Sequence, residues 1–175
     1  KQGEHIVAAR QLYGGTIDLL QDTFADWGIE VTFVDQDDLD AWHAAVRPTT
    51  RALFAESISN PIAQVLDLGA VAPVAKSAGV PLVIDNTVAT PYLQRAKDFG
   101  ADIVVHSATK FLGGHGTSLG GVVVDLGTFD FTAEPARWPQ LTATYPRVPD
   151  GSLVERFGET GSPYIALVKT KYVHD

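Results

Sequence analysis

Short, nearly continuous apolar runs recur along the chain at HIVAAR (5–10), VTFVD (31–35), RALFAES (51–57), PLVIDN (81–86), IVVHSA (103–108) and GGVVVD (120–125). Runs of this length, rich in β-branched residues, read as strands of a sheet covered on both faces. Helical patterns lie between them. Ile17, Leu20, Phe24 and Trp27 are spaced for one helical face, with Thr16 as its N-cap and Gly28 as its stop. Asp67 caps a second helix that carries Leu68, Val71 and Ala75 on one side and is closed by Gly79 and Pro81. Strand–helix alternation of this kind predicts an α/β fold with a mostly parallel sheet and helices on both faces. Beyond Asp125 the period is lost, and the Pro-, Gly- and aromatic-rich segment predicts a long connection or a few short elements before a helical start after Pro163. No repeat, low-complexity tract or second domain is evident.

Composition narrows the picture. Hydrophobic residues at 45% and charged residues at 19% fit a folded globular chain. Thirteen basic against twenty-one acidic residues give −8, which argues against nucleic acid or an anionic membrane as the main partner. The absence of Cys excludes disulfides and thiol chemistry. No apolar stretch reaches the roughly 18 residues of a spanning helix, and no signal-peptide layout opens the chain, so a soluble, cytoplasmic protein is expected. The 175 residues contain no Met, and YIALVKTKYVHD reads as a helix cut short, so a fragment of a longer protein is expected.

In an open α/β sheet ligands bind beyond the carboxyl ends of the strands. The residues that end these strands are Glu56 with Asn60, Asp85 with Asn86 and Thr87, and Ser107 to Lys110. All should converge on one edge. Lys110 is either an exposed lysine of the ordinary kind or a reactive amine, with Ser107, Thr109 and backbone amides of nearby glycines beside it for an anion. Asp85 either caps the turn that follows or faces a protonated pyridine nitrogen. A Schiff-base lysine paired with such an aspartate is the signature of a pyridoxal phosphate site. Tyr13 in LYGGT is a core aromatic or a ring stacked on a cofactor face. Asn60 starts a turn before Pro61 or faces the site. His106 and His115 lack Cys partners and helical His spacing, so they read as structural hydrogen-bonding residues and no metal is expected.

LYGGT, ESISNP, VIDNTVATP and HSATKFLGGHG occur in an order and at a spacing that resemble the Cys/Met-metabolism family of pyridoxal-phosphate enzymes, over nearly the whole chain. The long aromatic insert with WPQLT is most similar to the branch of that family that sulfhydrylates O-acetylhomoserine. The resemblance implies an aspartate-aminotransferase-like (fold type I) large domain, with residues 1–175 forming part of it. It implies that Lys110 links to the cofactor aldehyde and shuttles protons, that Asp85 partners the pyridine nitrogen, and that Tyr13 stacks on the ring. Asn60 then stands near the phenolic oxygen and substrate carboxylate, and Ser107 and Thr109 near the phosphate. The implied reaction converts O-acetyl-L-homoserine and sulfide to L-homocysteine and acetate, in a homotetramer. The family's main phosphate-binding helix start, its carboxylate-binding arginine, a C-terminal domain and a neighbouring subunit's Tyr and Arg have no counterpart in the chain. Cystathionine γ-synthase or methionine γ-lyase chemistry is the alternative within the family, and a non-catalytic phosphate- or nucleotide-binding α/β module the alternative outside it.

Overall fold

The computed structural model describes residues 1–148, 151–160 and 162–173. Pro149, Asp150, Gly161, His174 and Asp175, which fall in the stretches read as a long connection and a closing helix, lie outside the described residues. Each apolar run forms a strand: β1 (His5–Ala9), β2 (Glu30–Val34), β3 (Thr50–Glu56), β4 (Leu82–Asp85), β5 (Ile103–Ser107) and β6 (Gly121–Asp125). They make a six-stranded sheet in the order β2-β1-β3-β4-β5-β6, with parallel pairing from β2 through β5. The chain divides into two compact units, Lys1–Val122 and Val123–Asp175.

In the first unit, β1 is followed by α1 (Gly14–Asp18), a π-helical turn over Leu19–Thr23 and α2 (Phe24–Asp26). Tyr13, not Thr16, is the N-cap, and it makes no side-chain capping bond. The predicted apolar face is also broken. Leu20 is buried, whereas Trp27 is 60% exposed and stacks on Phe24 with centroids 5.7 Å apart. The π turn inserts extra backbone into the 3.6-residue period, so side chains spaced for an α-helix drift off a common face. Gly28 ends the run as expected, with φ of +71°.

Sequence reading missed α3 (Leu39–Ala45), a two-turn helix whose N-cap Asp38 accepts the Ala41 N–H at 2.9 Å and whose Trp42 is fully buried. α4 (Leu68–Ser77) forms as predicted, with Asp67 accepting the Ala70 N–H at 3.1 Å and Leu68, Val71 and Ala75 buried, and a one-turn α5 (Thr90–Leu93) follows β4. The strand order turns back at β1: the chain runs outward to β2, returns past β1 to β3, and continues outward on the other side. Right-handed crossovers then place α1 and α2 on one face and α3 and α4, which pack together, on the other.

On β3, β4 and β5 the two faces are unequal. Leu53, Ala55, Leu82, Ile84 and Val104 are buried, while the alternating Phe54, Val83, Asp85 and Val105 are half-buried. Both-face coverage is thus only partly realised, and the valines of β6 are more open still, at 37–44% exposure.

The second unit collects short elements around an aromatic cluster. It holds α6 (Pro139–Thr142), α7 (Leu153–Phe157) and α8 (Pro163–Tyr172). Phe131, Leu141, Val148, Leu153 and Leu167 are buried. Phe129, Phe131 and Trp138 meet edge to face at 4.8–5.5 Å. A capping box starts α7: Ser152 Oγ accepts the Glu155 N–H at 3.1 Å, and Glu155 accepts the Ser152 N–H at 2.6 Å.

Candidate active site

An open α/β sheet takes its ligands in the crevice beyond the strand ends at its switch of direction, which falls here between β1 and β3. Glu56 closes β3. Its register partner on β4 is Asp85, which pairs in turn with Val105 on β5. Ser107 lies two residues beyond Val105, so strand alternation puts Glu56, Asp85 and Ser107 on the same, half-open face.

Glu56 is 5% exposed. One carboxylate oxygen accepts the Tyr13 N–H at 2.6 Å and the other the Asn60 N–H at 2.9 Å. Burial pushes its carboxyl above the ordinary carboxylate range; the two backbone bonds pull it partly back, and the charge of Asp85 adds to the rise. Tyr13 is 56% exposed, and a Cβ at Gly15 would come within 2.8 Å of its ring, so glycine leaves the ring where it lies. Asn60 is exposed and joined to Pro61 by a cis peptide bond. Tyr13, Asn60 and Glu56 therefore form one group, which supports the expected convergence.

Asp85 anchors a second group. Its Oδ1 accepts the Thr87 N–H at 2.9 Å and the Thr87 hydroxyl at 2.5 Å, while its Oδ2 makes no hydrogen bond among the described residues. Thr87 Oγ1 also accepts the Ser107 N–H at 2.8 Å, tying the end of β4 to the end of β5. Beneath them, buried Ser57 donates to the Asn86 side chain at 2.7 Å, and Asn86 donates to the Gln94 carbonyl at 2.9 Å.

Lys110 follows β5 in a π-helical turn, Ala108–Leu112, and its backbone departs from helical values at φ −87° and ψ −121°. Its side chain is exposed and has no ion-pair or hydrogen-bond partner among the described residues. The Ser107 hydroxyl has none among them either, whereas Thr109 Oγ1 accepts the Gly120 N–H at 3.1 Å and donates to the Gly120 carbonyl at 3.4 Å. The glycines serve a different purpose from the one expected. The Gly113 N–H donates to Ala108 O at 2.8 Å and the Gly114 N–H to Lys110 O at 2.7 Å, so neither amide is open to an anion. A Cβ at Gly113 would lie 2.7 Å from Ala108 O, and Gly114 has φ of +80°. The glycines close the turn that presents Lys110.

His106, on the opposite face from Ser107, is 6% exposed, and its Nδ1 has no hydrogen-bond partner among the described residues. His115 is exposed and makes no side-chain hydrogen bond among them. Among the described residues no group of three or more His, Cys, Asp or Glu could hold a metal ion. Nor is any helix among them long and apolar enough to cross a membrane.

The sequence pattern of the Cys/Met metabolism PLP-dependent enzymes matches residues 1–170. The chain belongs to that family. It is 55% identical over 129 residues to the O-acetyl-L-homoserine sulfhydrylase of Leptospira meyeri, covering 74% of this chain and 29% of that protein. It is 46% identical over 167 residues to the enzyme of the same name from Corynebacterium glutamicum, covering 94% of this chain and 38% of that one. Among solved structures, a Campylobacter jejuni protein described as an O-acetylhomoserine (thiol)-lyase superposes with a TM-score of 0.79 at 34% identity, over 83% of this chain and 36% of that one. That structure contains an N′-pyridoxyl-lysine-5′-monophosphate. The chain thus spans well under half the length of these relatives. The fold is that of the type I pyridoxal-phosphate enzymes, and the family's cofactor is pyridoxal phosphate.

The residues present suit that group. An exposed amine, an aspartate oxygen and a serine hydroxyl, all three without a partner among the described residues, stand with an exposed tyrosine ring at the same sheet edge. Sequence reading overlooked the role of Glu56 as a double acceptor and that of Thr87 as a bridge. Each joins a near neighbour to a distant one: Glu56 also reaches Tyr13 across 43 residues and Thr87 also reaches Ser107 across 20, and no local pattern announces the distant partner.

Proposed function

We propose that the protein carrying this chain is a pyridoxal-phosphate-dependent sulfhydrylase of methionine biosynthesis, which converts O-acetyl-L-homoserine and sulfide to L-homocysteine and acetate. The observation that carries this reading is the pairing of an unpartnered Lys110 with an Asp85 whose Oδ2 is unoccupied, in a chain 55% identical to a sulfhydrylase. When bound, pyridoxal phosphate supplies an aldehyde for amines and an electron-poor ring. Lys110 would hold the cofactor at its aldehyde carbon and would carry protons at the substrate Cα and Cβ. Asp85 Oδ2 would accept the pyridine N–H and keep that nitrogen protonated. The Tyr13 ring would stack on the cofactor, Asn60 would serve its phenolic oxygen and the substrate carboxylate, and Ser107 and Thr109 would serve its phosphate. Residues 1–175 are read as part of one cofactor-binding large domain, and the working protein as a cytoplasmic homotetramer.

The test is borohydride reduction of the cofactor-loaded protein, peptide mapping, and assay with sulfide and with cysteine as nucleophiles. The expected result is a pyridoxyl label on Lys110, homocysteine formed from sulfide, and loss of both in Lys110→Ala. A label elsewhere refutes the site. Cystathionine formed faster than homocysteine assigns the alternative chemistry of the family, and failure to bind the cofactor points to a phosphate-binding module.

A further inference from the structure

β1 and β3 lie side by side where the strand order reverses, so the chain leaving β1 and the chain leaving β3 run in opposite directions along the sheet. Tyr13 stands on one wall, just after β1, and Asn60 on the other, after β3. Among the described residues neither side chain makes a hydrogen bond of its own, and both are exposed. What joins them is Glu56, the last residue of β3, whose two carboxylate oxygens accept one backbone N–H from each.

We infer that Glu56 is a positioning residue: its buried carboxylate clamps the Tyr13 and Asn60 backbones together across the switch point and thereby fixes the spacing of the two side chains that face the cofactor. The inference rests on the roles proposed above for Tyr13 and Asn60.

Three features support it. Both bonds go to backbone, so the clamp sets the Cα positions from which the two side chains project, whatever rotamers these adopt. No cation pairs with Glu56 among the described residues, so the carboxylate does not serve an ion pair. Burial without a countercharge disfavours a charged group. A carboxylate is the side chain able to take two N–H donors, one on each oxygen, from opposite sides of the crevice. Glutamine, its isostere, has one acceptor oxygen and turns an NH2 toward the second N–H, so one wall is released.

The experiment compares Glu56→Gln with wild type and with Val71→Ala, a variant of the buried face of α4 that loses stability without touching the crevice. In the cofactor-free protein, amide hydrogen exchange at Tyr13 and Asn60 should accelerate by about tenfold or more at one or both positions in Glu56→Gln, and stay unchanged in Val71→Ala. In the loaded protein, the visible circular dichroism of the cofactor should fall and KM for the amino-acid substrate should rise several-fold in Glu56→Gln, with kcat less affected; Val71→Ala should move neither. Unchanged exchange at both amides overturns the clamp. Accelerated exchange with unchanged dichroism and KM overturns its positioning role. The exchange arm needs no cofactor, so absence of a pyridoxyl label on wild-type Lys110 would fail the proposed function separately from the clamp.

Discussion

Thr87→Val removes one hydroxyl and keeps the shape of the side chain, and the structure says what that hydroxyl does. It donates to Asp85 Oδ1 and accepts the Ser107 N–H, so two hydrogen bonds are lost at once. A bond to a charged acceptor contributes about 1.5–3 kcal/mol, and an N–H left without a partner costs about 1–3 kcal/mol. Asp85 and Ser107 are half-buried, so water partly replaces both, and the low ends apply. The sum is a loss of about 2–3 kcal/mol. At about 2–4 °C per kcal/mol for a chain of this size, the unfolding midpoint of the cofactor-free protein should fall by about 4–12 °C in a calorimetric scan. Asp85 keeps the Thr87 N–H and loses the bond that fixes its rotamer, so turnover of the loaded protein should fall as well. Thr87→Ser, which retains the hydroxyl, should stay within about 1 kcal/mol of wild type. A loss below about 0.5 kcal/mol in Thr87→Val would show that the β4–β5 bridge does not stabilise the edge, and the account of how Asp85 is held would be wrong.

Asp85→Asn should leave the borohydride-reducible absorbance in place and lower turnover by orders of magnitude, because a neutral amide does not keep the pyridine nitrogen protonated; near-normal kinetics would reduce Asp85 to a turn cap. His5, fully buried between Thr50 Oγ1 at 2.8 Å and Thr32 Oγ1 at 2.9 Å, has its pKa held below the ordinary 6.5 by burial first and by the charge of Arg47 second. The fold thus favours neutral His5. Its stabilisation is present above pH 6.5 and is lost as pH falls through the lowered folded value, so unfolding free energies measured from pH 7.5 to 5 should drop more steeply for wild type than for His5→Gln; parallel curves would exclude His5 as the source. Leu53→Ala, at a fully buried position on β3, should cost about 2–5 kcal/mol by urea titration, and a cost below about 1 kcal/mol would mean that the sheet is not packed as described.

The strands were legible because their signal is local: six apolar runs, each interrupted by polar residues or glycine, are found within a residue or two of where they were read. The cap of α4 was legible for the same reason, since Asp67 and the Ala70 amide are three residues apart. The first helix was misread at Thr16 and Trp27 because a π turn changes the period inside a run whose composition still looks α-helical. The aromatic cluster of the second unit was invisible because Phe131, Leu141, Leu153 and Leu167 share no period and meet only once several short elements have packed.

At the site the division between seen and unseen follows chemistry. Side chains at strand ends, such as Asp85, Ser107 and Lys110, can be read from the chain because strand periodicity and the ligand-at-the-carboxyl-edge rule together fix where they stand. Backbone donors cannot be read that way, because every residue but proline carries one and only the folded chain decides which are free. The glycine amides after Lys110 looked available for an anion, yet those of Gly113 and Gly114 bond Ala108 and Lys110 carbonyls within the turn. The amides of Tyr13 and Asn60 carried no signal at all, yet they converge on Glu56. What a sequence with four ordered motifs states is the set of reactive groups; what it leaves unstated is the hydrogen bonding that holds those groups at working distance. Substitutions at Thr87 and Glu56 address that second set, and their effects should therefore appear in backbone exchange and cofactor dichroism as well as in turnover.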